Sequence, residues 1–96
     1  MKIVFLQPAQ IELDDAVDWH EEQVVGLGNE FLDEIDQSLR LISSFPLLQP
    51  LVDKKVRRCL VNRFPYGIFY AVAENIVIVV AVAHLRREPG YWKNRK

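Results

Sequence analysis

An α+β domain, with a helical hairpin lying on one mainly antiparallel four-stranded sheet, follows from three features of the sequence. Apolar residues recur at helical spacing between residues 9 and 42, and the period changes to that of strands from residue 54 onward. A short β-branched and aromatic run stands ahead of the helices. The expected order is β-α-α-β-β-β, followed by a basic C-terminal tail. With 96 residues, half of them hydrophobic and 26% charged, the chain reads as one domain over residues 1–96 with one modest core.

Lys2 to Leu6 reads as the first strand. Pro8 suits the first helical position, where its missing N–H has no helical partner to lose, and Gln7 then falls at the N-cap. From Ala9, the residues Leu13, Ala16, Val17, His20 and Val24 share one stripe, while Glu12, Asp14, Asp15, Asp18, Glu21 and Glu22 lie outside it. Gly26-Leu27-Gly28 breaks the helix. A second helix carries Phe31, Leu32, Ile35, Leu39 and Ile42 on one side, with Glu30, Asp33, Asp36 and Arg40 on the other. Pro46 and Pro50 stop it.

Three strands follow: Lys54 to Val61, Gly67 to Ala73, and Ile76 to His84. Glu74-Asn75 links the last two, with Asn75 expected to take the positive φ of a tight hairpin. Val77 to Ala83 shows no alternation, so both its faces should be covered and it belongs mid-sheet. The first strand is its expected neighbour on the far side.

Charge is divided unevenly. Residues 1–50 hold two basic and ten acidic side chains, a net −8, whereas residues 51–96 hold ten basic and three acidic, a net +7. Two faces with different partners are one reading, and mutual neutralisation within the fold is the other. The longest apolar run, Ile76 to Ala83, is eight residues, far short of the roughly 20 of a membrane span. The N-terminal apolar run turns polar at Gln7, too soon for a signal-peptide core. A cytoplasmic protein without a membrane partner is expected.

No standard chemical motif is present, and neither a metal site nor a cofactor is expected. The single cysteine, Cys59, excludes a disulfide scaffold and reads as a small buried hydrophobe. His20 reads as a core histidine, and Trp19 as a cover over the core's edge. The C-terminal set is richer. His84 ends the central strand, and Arg86, Arg87, Tyr91, Trp92, Lys93 and Arg95 follow within eleven residues. Arg57, Arg58 and Arg63 come from the neighbouring basic strand and the loop after it. One of Arg57 and Arg58 is expected to be partly buried and paired, for example with a helix carboxylate. Gathered at one end of the sheet, these groups would suit a polyanion or a macromolecular surface. The alternative is a basic edge that resists aggregation, with an aromatic tail packed on the core.

Val56-Arg57-Arg58, Arg63-Phe64-Pro65-Tyr66-Gly67-Ile68-Phe69-Tyr70 and Ile78-Val79-Val80-Ala81-Val82-Ala83-His84-Leu85-Arg86-Arg87 together resemble the RelE/ParE superfamily of bacterial toxins. So does the hairpin from Ala16-Val17-Asp18-Trp19 through Gly26-Leu27-Gly28. The resemblance spans nearly the whole chain. It implies the toxin half of a type II toxin–antitoxin pair, often described as a plasmid-stabilisation protein. The implied partner is a cognate antitoxin whose flexible segment folds over the toxin.

The superfamily offers two mechanisms. RelE-like members are ribosome-dependent mRNA endonucleases. On that pattern His84 would be base or acid, Arg58, Arg63 and Arg86 would stabilise charge, and Tyr91 would stack on a base. Such nucleases usually carry an arginine where this chain reads Tyr66-Gly67-Ile68, and the net charge of −1 suits the ribosome's decoding site poorly. ParE-like members bind and trap DNA gyrase, which needs no catalytic set. The strand end Val80 to Arg87 is closer to that branch, which makes Arg86, Arg87 and the Tyr91-Trp92 tail contact residues. The full set of nine binding candidates is Arg57, Arg58, Arg63, His84, Arg86, Arg87, Tyr91, Trp92 and Arg95. An antitoxin-binding module without toxicity is a third reading.

Overall fold

The computed structural model describes residues 1–95 and orders them as β1 (Lys2–Phe5), α1 (Gln7–Gln23), α2 (Leu27–Ser44), β2 (Val56–Leu60), β3 (Tyr66–Ala73) and β4 (Ile76–His84). The sheet runs β1-β4-β3-β2. β1 lies parallel to β4, and the two hairpin pairs β2–β3 and β3–β4 are antiparallel. The expected α+β architecture and the central place of β4 are both present.

The chain passes from β1 into α1 without a loop. The Leu6 N–H extends the ladder to the Val79 carbonyl at 3.0 Å, and the Leu6 carbonyl then accepts the N–H of Gln10 at 3.0 Å. Leu6, not Gln7, is therefore the N-cap, because it is the last extended residue and its carbonyl opens the helical ladder. Val24 also departs from its expected place on the buried stripe. It is the extended C-cap of α1 and is exposed.

The turn between the helices relies on glycine twice. Gly26 holds φ +90°, a left-handed conformation that costs a side-chain-bearing residue energy. A Cβ on Gly28 would stand 2.9 Å from the Val17 carbonyl oxygen, so a side chain there would force the two helices apart. Glu21 closes the turn: its carboxylate accepts the N–H groups of Gly26 at 2.9 Å and Gly28 at 3.0 Å, capping the start of α2. Leu32, expected on the inner stripe of α2, is instead half-exposed.

β2 is shorter than the expected Lys54–Val61. The N–H groups of Val52 and Asp53 both reach the Val56 carbonyl, which bends the chain over Lys54 and Lys55 before pairing begins. β3 starts one residue early, at Tyr66. In the β3–β4 hairpin the positive φ falls on Glu74, at 55°, not on Asn75. A register shift pairs Tyr70 with Val79 and Phe69 with Ala81, so Val80 is the extra residue of a bulge.

One face of the sheet presents Cys59, Val61, Ile68, Tyr70, Val77, Val79 and Val82 to Leu13, Ala16, Phe31, Ile35 and Ile42 of the hairpin. Buried Tyr70 satisfies its hydroxyl by donating to the Pro46 carbonyl at 2.7 Å. The C-terminal tail covers the other face, where the Trp92 ring lies 5.4 Å from that of Phe69. Both faces of β4 are thus protected, which is why its apolar run does not alternate.

Candidate functional site

β1 ends at Phe5, so beyond Val79 one edge of β4 has no strand beside it. Two side chains supply the missing partners. Glu12 of α1 accepts the Val82 N–H at 3.1 Å, and Arg95 of the tail donates to the Val80 carbonyl at 3.1 Å. The pair is itself joined by two hydrogen bonds, 2.7 and 3.0 Å long, in the forked geometry of guanidinium and carboxylate. The Tyr91 hydroxyl adds a third donor to Glu12 at 2.6 Å. Burial pushes the Glu12 pKa up, but the hydrogen bonds from Arg95, Tyr91 and Val82 outweigh it and hold the carboxyl below its ordinary range. Tyr91 is driven strongly upward, first by burial and then by its bond to Glu12, so it stays a neutral donor.

Tyr91 in turn places Arg87, whose guanidinium carbon lies 3.9 Å from the ring centroid, with a nitrogen 4.0 Å from Glu12. From there the surface dips into a cleft of about 180 Å³ between the tail and the β2–β3 face. Arg58, His84, Arg87, Glu88, Lys93 and Tyr91 contribute its polar groups, and Val52, Phe69, Pro89 and Trp92 its apolar walls. The Arg58 stem crosses the strand beside Gly67. A Cβ at Gly67 would lie 3.2 Å from Arg58 Cγ and 3.3 Å from the Phe69 ring, so the glycine makes room for the arginine.

Of the nine contact residues expected from sequence, Arg58, His84, Arg87, Tyr91 and Trp92 line this cleft, and Arg95 braces it from behind. Arg57, Arg63 and Arg86 do not join them. Arg57 faces the α2–β2 connection and donates to the carbonyl oxygens of Leu47 at 3.2 Å and Gln49 at 2.7 Å. Its partners are backbone carbonyls because its register opposite Tyr70 sets it beside the connection that follows α2. Arg63 turns to α2, bonded to Glu30 at 2.7 Å with Glu34 at 3.6 Å; the bond to Glu30 raises its pKa further. The Arg86 backbone N–H donates to His84 Nδ1 at 3.1 Å.

Beyond His84 lies a more open hollow of about 430 Å³, lined by Trp19, His20, Pro65, Tyr66 and His84. Trp19 is 55% exposed, so it only partly covers the core's edge; its ring meets His20 edge-on at 5.0 Å. His20 is buried as expected, with Nδ1 donating to the Ala16 carbonyl at 2.6 Å. It stacks on Phe31 at 4.4 Å, and Tyr66 links Phe31 at 4.9 Å to His84 at 5.3 Å. Glu12 and Glu88 are site residues that sequence reasoning left out of the candidate set, while Lys93 stood in the basic C-terminal set but not among the nine expected contacts. Nothing in the local pattern distinguishes Glu12 from the other acids of α1. Among the described residues, no group of three or more His, Cys, Asp or Glu side chains is arranged to hold a metal ion, and no helix is long and apolar enough to cross a membrane.

A family model described as the ParE toxin of the type II toxin–antitoxin system parDE matches residues 3–89. The chain belongs to the ParE toxin family. The match takes in both helices, all of the sheet but Lys2, and the rim of the cleft as far as Pro89. A search of curated proteins finds no significant match. Among solved structures, a chain described as "Chromosomal ParDE TA system from P. aeruginosa" superposes with a TM-score of 0.73 at 16% identity, covering 88% of this chain and 95% of that one. At that identity the likeness speaks for the shared fold. The ParE assignment supports the ParE-like branch of the superfamily that the sequence resembles.

Proposed function

We propose that this chain, as a ParE toxin, acts by gripping a protein target, DNA gyrase, and is neutralised by a cognate antitoxin segment that covers it. The observation that carries this reading is the engagement of the groups an RNA-cleaving site would need. Tyr91 gives its hydroxyl to Glu12, Arg63 is paired with α2, and Gly67 offers no side chain. His84 already accepts a hydrogen bond on Nδ1. Arg58 and His84 do share one cleft, but Arg63 and Tyr91 are engaged elsewhere, so the full set of base, acid and charge-stabilising groups expected of a nuclease is not gathered around one phosphate. The exposed apolar side chains of the α2–β2 connection, Phe45, Leu47, Leu48 and Leu51, support a protein-binding role instead.

Purified chain added to gyrase should inhibit DNA supercoiling, and toeprinting of mRNA on ribosomes should show no A-site cuts. Intact supercoiling together with A-site cuts lost in His84→Ala would establish the nuclease reading in its place.

Arg86 and Arg87 carry the electrostatic part of antitoxin binding on this reading. Replacing both with Ala should weaken the toxin–antitoxin complex and flatten its dependence on salt, measured by calorimetry at two ionic strengths. An unchanged salt dependence would remove these residues from the contact.

A further inference from the structure

The cleft between the tail and the β2–β3 face contains an arginine whose needs the fold does not meet. Arg58 Nε is buried and has no hydrogen-bond partner among the described residues. Nor does Arg58 or Lys93 take part in any ion pair among those residues. A buried, unpaired donor on a cation is costly to a folded chain; the Nε–H itself is closed to solvent, so an incoming acceptor would meet the rest of the Arg58 guanidinium where it lines the cleft. Arg87, which lines the same cleft, is held over Tyr91 but only grazes Glu12 at 4.0 Å, so most of its N–H groups stay free.

We propose that this cleft is a carboxylate-binding site, which takes one acidic side chain of a partner polypeptide between Arg58 and Arg87 while apolar neighbours of that side chain rest on Val52, Pro89 and the Phe69–Trp92 wall. This deepens the protein-binding reading above by naming the chemistry of recognition. Guanidinium groups fit a carboxylate through paired N–H donors. The walls are apolar, which suits an acid set among aliphatic residues.

Nucleic acid fits less well. The Tyr91 ring has Arg87 on it at 3.9 Å and Arg95 at 5.0 Å, and Trp92 is buried against Phe69, so the cleft lacks a free ring on which a base could stack. Glu88 at the rim and Glu12 behind Arg87 oppose a run of phosphates but tolerate a single charge neutralised in place.

The test is a titration of the full-length chain with acetyl-Leu-Glu-Leu-amide at low salt, followed by ¹H–¹⁵N NMR of the backbone and of arginine Nε–H. The expected result is a shift of the Arg58 Nε–H resonance and of the amides from Gly90 to Trp92. Affinity should fall at least about tenfold for acetyl-Leu-Gln-Leu-amide and for Arg58→Gln. Because Arg58→Gln disturbs a partly buried position, Arg87→Ala on the exposed wall provides a second reading and should weaken binding about threefold or more. Arg40→Ala, on the outer face of α2, should leave it unchanged.

Equal binding of the two peptides, or shifts confined to other parts of the chain, would overturn the proposal. So would a single-stranded RNA hexamer that moves the same resonances at lower concentration, which would make this a phosphate site. No gyrase or antitoxin enters the titration, so its failure and the failure of the gyrase reading are separate results.

Discussion

Glu12→Ala should lower stability by about 2–4 kcal/mol, an effect far larger than an acid on a helix flank ordinarily carries. The carboxylate accepts from Arg95, from Tyr91 and from the Val82 N–H, and its side chain is only 15% exposed. Alanine would leave the Arg95 guanidinium, also largely buried, without its counter-charge and the β4 edge without an acceptor. An exposed pair such as Arg40–Asp36 offers the contrast, since both partners are open to water and Asp36→Ala should change little. Urea unfolding of the two variants measures the difference. A loss below about 0.5 kcal/mol for Glu12→Ala would mean that water replaces the carboxylate and that the tail is not held by it.

The same residue gives stability a pH dependence of known sign. Hydrogen bonding holds the folded-state pKa of Glu12 below its ordinary value of 4.5, so the folded chain binds this proton less readily than the unfolded chain. The stabilisation is complete above that value and is lost as the pH falls through the depressed folded pKa. Glu12→Gln, which keeps the shape without the charge, should flatten the acid limb of the stability curve below pH 4.5 and leave its neutral plateau lower.

Much of the fold could be read from sequence because it rests on period. The stripe Leu13, Ala16, His20 marks the inner face of α1, and the unbroken apolar run of β4 identifies a strand covered on both sides. What could not be read depends on distant partners. Glu12 and Glu21 look like their acidic neighbours, yet one replaces a missing strand and the other caps α2, because of where Val82 and Gly28 come to lie. The bulge at Val80 shifts the phase of a strand that has no alternation to reveal it. Arg57 and Arg58 sit in equally mixed surroundings along the chain. Only the pairing of Arg57 with Tyr70 and Arg58 with Phe69 sends the first toward the helix end and the second into the cleft. The candidate site was therefore legible as a set of residue types, and about half of that set converges.

Phe31→Ala should be the most damaging single substitution, at about 3–5 kcal/mol. Phe31 is fully buried and stacks on His20 at 4.4 Å, while Phe64 at 5.1 Å and Tyr66 at 4.9 Å approach it nearly edge-on. Truncation leaves a hole among groups from α1, the β2–β3 loop and β3 that cannot all move inward. A domain of this length holds a total stability of about 5–14 kcal/mol, so the variant would lie near the limit of folding, with a melting temperature lower by about 15–30 °C. Phe31→Leu separates volume from ring geometry. It fills most of the space but loses the stacking, and should cost about 1–2 kcal/mol. Because Tyr66 joins Phe31 to His84, the leucine variant should also move the His84 ring resonances, although His84 lies at the cleft and Phe31 in the core. Coupling between Phe31→Leu and Tyr66→Leu of about 0.5–1.5 kcal/mol in a double-mutant cycle would establish that the rings act as one unit. Strict additivity, with His84 undisturbed, would mean that the aromatic chain from α2 to the cleft is packing alone and that the site's geometry is set by the tail.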